Sequence, residues 1–290
     1  MTPSTPAPSV LITGATDGLG RAMAIFLAAN GYRVFAAGRS AEKRASLDRL
    51  AEEKKLLIET LDLDVTSDDS VHRGVTRVLE RAGQIDVLIN NAGVAYVAVV
   101  EEIGLDDLRR QFDTNVFGAV RLIQAVLPAM RERRSGRILN MSSIAGKIST
   151  PLMGIYSSSK FALEALSDAL RLELAPYGVR VVLIEPGYIP TNMASASLEL
   201  SSAYAARAEK SPYVAVYRAF QKTWKGVTQA ARNTPEDCAR VILRALLDTP
   251  PRARYTVTSR ARYGVIAKRL LPDRMLDKSI LRSMGLHKPL

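Results

Sequence analysis

Short runs of consecutive apolar residues recur along the chain, separated by longer stretches in which apolar positions fall three or four apart. The runs at 10–13, 33–37, 56–61, 87–90, 137–141, 179–184 and 255–258 predict strands. VLIN at 87–90 and VVLI at 181–184 are apolar at nearly every position, which suits strands buried on both faces. The helical spacing covers 19–29, 41–54, 67–82, 106–134, 154–175 and 235–248. Regular strand–helix alternation predicts one doubly wound α/β domain, with about seven mostly parallel strands and helices on both faces. One segment breaks the rhythm. Residues 188–233 contain no strand pattern and are rich in Ala, Ser and Tyr. Long connections in compact domains are commonly functional lids or disordered.

Composition narrows the classes. A 290-residue chain with 47% hydrophobic residues can bury a sizeable core. The one cysteine, Cys238, excludes an internal disulfide and a multi-cysteine zinc site. It fits a helix-packed core position in a reducing compartment. The first residues carry neither a basic nor a long apolar segment, so a Pro-rich lead-in is expected at 1–8 rather than a secretory signal. No stretch reaches the roughly 18 apolar residues of a membrane span. The net charge of +11 is uneven, since residues 252–290 hold ten Lys or Arg against two acids and so carry +8 of it. With the rest nearly balanced and no reading motif, no nucleic-acid partner is expected.

The first strand runs into TGATDGLG at 13–20, followed by a helical pattern. Glycines at a strand-to-helix turn let the backbone approach a phosphate, and the helix start offers free N–H groups. The spacing Gly14, Gly18, Gly20 differs from the common G-x-G-x-x-G, and a plain glycine turn is the alternative. After the second strand, the acid that would hold the ribose 2′-hydroxyl of NAD is missing, for 21–41 contains no Asp or Glu. Gly38 stands near its place and Arg39 follows, which suits the 2′-phosphate of NADP. Asp17 in the glycine loop opposes that phosphate, so the expectation is NADP with NAD as the alternative.

YSSSK at 156–160 raises a chemical question, because a tyrosine hydroxyl with its usual pKa near 10 is a poor acid at neutral pH. Residues four apart share a helix face, and Leu163, Leu166, Leu170 and Leu174 give this helix an apolar stripe. Lys160 beside Tyr156 would stabilise the phenolate and make it an acid in reduction and a base in oxidation. Ser143 lies 13 residues earlier, after the strand at 137–141, where it can hold a substrate oxygen. NNAG at 90–93 closes another strand, and Asn115 sits in a helical stretch it does not favour.

Taken together, these motifs resemble those of the short-chain dehydrogenase/reductase family. The matching residues are Thr13 to Gly20, Asp64 with Val65, Asn90 to Gly93, Asn115, Ser143, Tyr156 with Lys160, and Pro186 with Gly187 and Thr191. They cover 9–191 in the family's order. The resemblance implies a Rossmann-type fold and hydride transfer with a nicotinamide cofactor, without a metal. It implies that Tyr156 is the acid/base, that Ser143 polarises the carbonyl, and that Lys160 tunes the tyrosine and holds the nicotinamide ribose. Asn115 would anchor a water relaying protons to Lys160. Cofactor contacts are implied for Gly14, Thr16, Asp17, Gly18, Leu19 and Gly20 in the first loop, and for Arg39, Asp64 and Val65 beyond it. Asn91, Ala92 and Gly93 would line the adenine ribose, and Pro186, Gly187, Ile189 and Thr191 the carboxamide side.

The remaining expectations concern boundaries and partners. The catalytic domain is read as 9–260, with 188–233 as substrate lid and 261–290 as a basic C-terminal extension. Tyr188, Met193, Leu198, Tyr204, Tyr213, Tyr217, Phe220 and Trp224 either line an apolar pocket or pack the lid onto the body. A looser likeness of TPEDCARVILRAL, RARYTV and LLPDRMLD to steroid- and retinoid-dehydrogenase members suggests a lipophilic alcohol or ketone as substrate. Ser142, Asn90 and Asn140 are read as structural, His72 and His287 as surface residues. The extension interleaves Val265, Ile266, Leu270, Leu271, Met275, Leu276, Ile280 and Leu281 with its charges, and Pro272 interrupts it. It either packs on its own domain or a partner subunit, or touches an anionic membrane surface. The expected protein is a cytoplasmic homodimer or homotetramer, or one peripheral to a membrane. A runner-up is a catalytically idle dinucleotide-sensing protein.

Overall fold

In the computed structural model, which describes residues 7–287, seven strands form one sheet. They are β1 (Ser9–Ile12), β2 (Arg33–Gly38), β3 (Ile58–Asp62), β4 (Val87–Asn90), β5 (Gly136–Met141), β6 (Val179–Glu185) and β7 (Arg254–Thr256). The spatial order is β3-β2-β1-β4-β5-β6-β7, and every pairing is parallel. Most of the lead-in, 1–6, and the last three residues of the extension lie outside the described residues.

Among the described residues twelve α-helices accompany the sheet. Through the body run α1 (Gly18–Ala29), α2 (Ala41–Glu53), α3 (Asp68–Ala82), α4 (Leu105–Phe112), α5 (Gly118–Glu132) and α6 (Gly154–Leu174). The strand-free segment folds as α7 (Asn192–Leu200), α8 (Ser202–Arg207) and α9 (Val214–Gln229). Then come α10 (Pro235–Leu247), α11 (Ser259–Leu270) and α12 (Asp273–Met284). Their starts follow local chemistry. Ser67 accepts the Ser70 N–H at the head of α3, with Asp68 and Asp69 against the helix dipole. Thr234 and Asp237 form a reciprocal capping box at α10, with Pro235 at its first position.

The stretch 106–134 is one continuous helical run interrupted by a π-helical turn at Asp113–Phe117. Asn115 lies in that turn. Such π turns are rare inside helices and concentrate at functional sites. The misfit of asparagine in the sequence pattern marks it.

Alternate residues of each central strand face opposite cores. Val10, Ile12, Val34 and Ala36 pack with α1 and α10 on one side. Leu11, Phe35 and Ala37 pack with residues of α3 and α5 on the other. Cys238 is fully buried in the first core, and burial pushes its thiol pKa up to about 12, so it is a packing residue. His72 and His287 are exposed, as expected. Leu166 departs from the expected stripe on α6. It is 44% exposed while Leu163 and Leu174 are buried.

Ile89→Ala, in the middle of the sheet, is expected to lower unfolding free energy by about 2–5 kcal/mol. Leu270→Ala, on an outward-facing position of α11, is expected to change it by less than about 0.5 kcal/mol. Urea denaturation of the two variants checks this, and equal losses would contradict the assignment of core and surface.

Candidate active site

Parallel pairing sends all the carboxyl ends to one edge, and the strand order reverses between β1 and β4. Ligands of doubly wound sheets bind in the crevice at such a reversal. Here the two loops are locked together. The Thr13 hydroxyl accepts the N–H groups of Asn91 and Ala92, both at 3.0 Å. Asn91 Nδ2 donates to the carbonyls of Thr13 at 2.9 Å and Gly14 at 3.1 Å. A Cβ on Gly20 would stand 2.1 Å from the Gly14 carbonyl oxygen and 2.7 Å from Asn91 Nδ2, so α1 can meet the loop this closely only with glycine there. Gly14 itself holds φ +61°. A bare backbone turn at the start of α1 fits the pyrophosphate of a dinucleotide.

Asp17 caps α1 by accepting the Gly18 N–H at 2.7 Å, receives Asn192 Nδ2 at 3.0 Å, and pairs with Lys43 at 2.5 Å. Partial burial alone would raise its pKa, but Lys43 and these N–H groups bring the carboxyl below its ordinary value. Its charge is therefore answered locally. Lys43 and Arg44 escape a sequence reading because they look like ordinary exposed residues of α2. Arg44 donates to the carbonyls of Gly38 and Arg39, both at 2.8 Å, fixing that turn. Arg39 lies 3.6 Å from Asp64, whose carboxylate also accepts the N–H and hydroxyl of Thr66. Burial opposes these contacts at Asp64, yet they hold its pKa down. A Cβ on Gly38 would meet Thr16 Oγ1 at 2.5 Å. The place of the expected ribose-binding acid is thus filled by Thr16. Val65 is a core residue, packed closely against Gly118.

A cavity of about 330 Å³ opens beside this crevice. Ser143, Tyr156 and Lys160 line it, together with Leu19, Asn91, Gly93 and the loop residues Pro186, Gly187, Ile189 and Thr191. The other residues singled out in sequence, Gly14, Thr16, Asp17, Arg39, Asp64, Val65 and Ala92 in the loops leaving β1 to β4 and Gly18 and Gly20 in the first turn of α1, do not line it. Lys160 is buried and donates to the Met141 carbonyl at 2.8 Å, and its nitrogen lies 5.7 Å from the centre of the Tyr156 ring. Burial lowers its pKa to about 8, against the charge of Glu164, which holds it up. Burial raises the Tyr156 pKa, with the Ser143 hydroxyl offsetting part of the rise. The expected depression of Tyr156 by Lys160 is absent in this arrangement, because desolvation dominates at the phenol.

Asn115 does not line the cavity. Its Nδ2 donates to the Val94 carbonyl at 2.9 Å and to Ser159 Oγ at 3.0 Å, and its Oδ1 accepts the Val94 N–H at 2.8 Å. Asn90 donates to Asn140 at 2.9 Å, and Asn140 to Ser167 at 2.9 Å, tying β4 and β5 to α6. Ser142, read as structural, lines the cavity, and its buried hydroxyl has no hydrogen-bond partner among the described residues.

The large side chains of 188–233 divide. Tyr188, Met193, Leu198, Phe220 and Trp224 line the cavity, Trp224 standing edge-on to Tyr188 and stacked on Phe220. The other three tyrosines fasten this segment to the body. Tyr204 donates to Asp107 at 2.6 Å, Tyr217 to Glu102 at 2.7 Å, and Tyr213 to Glu101. Both expectations for this segment therefore hold, for different residues. Ile144, Ile148 and Met153 complete the apolar wall and carried no sequence signal.

Beneath the cavity, Glu164 lies one turn after Lys160 on α6 and is almost fully buried. Lys147 and Arg254 converge on its Oε2, Arg254 at 3.0 Å, and Glu185 approaches both cations, at 3.6 Å from Lys147 and 3.4 Å from Arg254. The cluster ties the Ser143 loop, α6, the end of β6 and β7 together.

Residues 8–200 match the family model for short chain dehydrogenases. An NADPH-dependent 3-dehydrocapnine reductase from Ornithobacterium rhinotracheale is 33% identical over 94% of this chain and 96% of its own length. A 3-ketodihydrosphingosine reductase from Bacteroides thetaiotaomicron is 39% identical over 61% of this chain and 62% of its own. A Burkholderia phymatum short chain dehydrogenase/reductase solved with NAD superposes with a TM-score of 0.79, at 26% identity over 98% of both chains.

Glu164→Gln should cost about 2 kcal/mol, because it leaves Lys147 only the longer contact to Glu185 and Arg254 only Glu185 and, at 2.6 Å, Asp168. Asp168→Asn, at the exposed end of the same cluster, should cost less than about 1 kcal/mol. Chemical denaturation of both variants decides, and an insensitive Glu164 would mean that the cluster does not hold these elements together.

Proposed function

The chain belongs to the short-chain dehydrogenase/reductase family, and on that premise we propose that it interconverts a lipophilic ketone or aldehyde and its alcohol with NADP(H), using Tyr156 as acid and base. The coarse activity follows from family membership, an oxidoreductase acting on a carbonyl/alcohol pair with a nicotinamide cofactor. When bound, that cofactor supplies or accepts the hydride. The residues fit it, because β1 leads through a bare glycine turn, with Gly14 at φ +61° and Gly18 at φ +51°, straight into the start of α1, where backbone N–H groups can meet a phosphate.

The observation that carries the reading is the meeting of Ser143, Tyr156 and Lys160 on one mainly apolar cavity. Ser143 donates a hydrogen bond to the substrate oxygen and holds it against the Tyr156 hydroxyl. Tyr156 gives its proton to that oxygen in reduction and takes it back in oxidation. The ammonium of Lys160 stabilises the phenolate that forms. Asn115 has both side-chain hydrogens committed, so any water it holds toward Lys160 is bound by its main-chain carbonyl, which the π turn presents differently from an α-helix. Arg39 is assigned to the 2′-phosphate of NADP, supported by Gly38, where Thr16 leaves no room for an acid, and by Lys43, which answers the Asp17 charge. The remaining loop residues named from the sequence keep their proposed cofactor contacts.

The substrate reading rests on Tyr188, Leu198, Phe220 and Trp224, which present apolar surface to the cavity. The names of the sphingosine-related and capnine-related reductases are consistent with it. We assign 9–260 to catalysis, 188–233 to a substrate lid, and 261–290 to peripheral membrane contact. Leu105, Phe117 and Phe161 are exposed apolar residues on α4, the π turn and α6, which favours a homodimer or homotetramer through those elements.

Tyr156→Phe should lower kcat by about 10²–10⁴-fold while leaving NADPH binding intact, read by cofactor oxidation over a panel of lipophilic and small polar carbonyls. Cofactor binding without turnover of any carbonyl by the wild type would favour a dinucleotide sensor instead. Turnover confined to small polar carbonyls would remove the lipophilic substrate. Arg39→Ala should raise the KM for NADPH about tenfold with little change for NADH, and equal effects on the two would overturn the assignment. Because Lys160 loses its proton around pH 8, kcat/KM for reduction should fall as pH rises through that value. A profile flat from neutral pH to well above it would show that its charge is not used.

A further inference from the structure

α11 and α12 carry seven Lys or Arg against two Asp, and these helices present two unlike faces. The inner face of α11 backs the cavity wall. A Cβ on its Gly264 would lie 3.1 Å from Ile144 Cδ1 and 3.4 Å from Ile148 Cδ1, and both isoleucines line the cavity. The inner face of α12 packs Ile280 and Met284 into the cluster that holds Tyr217 and Phe220 of α9. Both helices therefore form the layer behind the substrate wall.

The outer face is the unusual one. Tyr263, Ile266 and Leu270 fall at i, i+3 and i+7, a single stripe along α11, and are 71%, 45% and 73% exposed. On α12, Met275 and Leu281 are also exposed. Helical geometry places Arg260 on one side of the α11 stripe, and Arg262 and Arg269 on the other. Arg274, Lys278 and Arg282 are exposed on α12. Among the described residues none of these six cations makes an ion pair; the one ion pair formed within these two helices joins Lys268 to Asp273. An apolar stripe bordered by unpaired arginines is the pattern of a helix lying in the headgroup layer of an anionic bilayer.

We propose that the outer face of α11 and α12 seats the protein on anionic phospholipid, so that the substrate wall it backs lies next to the bilayer. Lipophilic substrate would then be drawn from the membrane rather than from water. That second clause rests on the substrate reading above, while the seating does not. Charge decides among occupants. A second copy docked by two-fold symmetry would set these arginines against the same arginines. An anionic lipid surface answers them all, and the side chains stand proud of the helix rather than lining a groove for a peptide.

The test is flotation of the full-length protein with phosphatidylcholine vesicles, with and without phosphatidylglycerol, at low and high salt. Binding is expected only with phosphatidylglycerol, and to weaken at high salt as screening shortens. Tyr263→Ser/Ile266→Ser/Leu270→Ser should weaken binding at least about tenfold. Arg262→Gln/Arg269→Gln should weaken it roughly fivefold per charge removed. Both variants should turn over a water-soluble carbonyl as the wild type does. No flotation at low salt would overturn the proposal, as would a triple-serine variant that floats like the wild type. A triple-serine variant with a reduced oligomeric state on gel filtration would give the stripe to a second copy. Polyglutamate binding that matches the vesicles and needs the same stripe would give it to an acidic protein. If the protein floats but turns over no lipophilic carbonyl, seating stands and the substrate reading falls.

Discussion

Six parallel ladders join the seven strands, and each one aligns its strands head to head. All seven carboxyl ends consequently emerge on one edge, and four chemically distinct loops meet there without any long-range search. The glycine turn after β1, the Asn91 loop after β4, the Ser143 loop after β5 and the Pro186 loop after β6 are neighbours because their strands are neighbours or nearly so. α6 then adds Tyr156 and Lys160 across the edge. The side-chain bonds between Thr13 and the Asn91 loop are short-range consequences of that larger arrangement.

Burial is the second recurring force. It holds Tyr156 protonated and Lys160 close to losing its proton, which is a resting state rather than a charged, acidified pair. Glu164, itself buried, opposes the loss at Lys160 while sharing Lys147 and Arg254 with Glu185. The Glu185 carboxyl is pushed above its ordinary range by burial first and by Glu164 second. One acidic side chain thus serves both the electrostatics of the site and the mechanical joining of four elements. Substitutions there will mix the two effects.

Much of this was legible in the sequence because it depends on local spacing. Unbroken apolar runs announced strands covered on both faces, and the spacing of Ser143, Tyr156 and Lys160 anticipated their meeting on one cavity, as Gly20 did the close approach of α1 to its loop. Asn115 was legible as a misfit, and the π turn explains the misfit. Other features depend on which distant residues meet. Lys43 looks like any solvated lysine until α2 brings it to Asp17. Tyr204, Tyr213 and Tyr217 look identical to Tyr188 in sequence, yet carboxylates from the 101–107 region take up their hydroxyls. Ile144 and Ile148 gave no signal because an isoleucine in a loop has no periodicity to read. The edge strands slipped by one to two residues, since β3 and β7 each have only one neighbour to fix their ends.

Thr16 and Gly38 occupy each other's space, and this ties together two positions that the sequence separates by a whole strand and helix. An acid introduced at Gly38 alone would collide with the threonine side chain before it reached any ribose. A smaller residue at Thr16 alone would open a gap without giving the new carboxylate. The two positions are therefore packed as a pair, and a larger side chain at Gly38 asks for a smaller one at Thr16 in the same step.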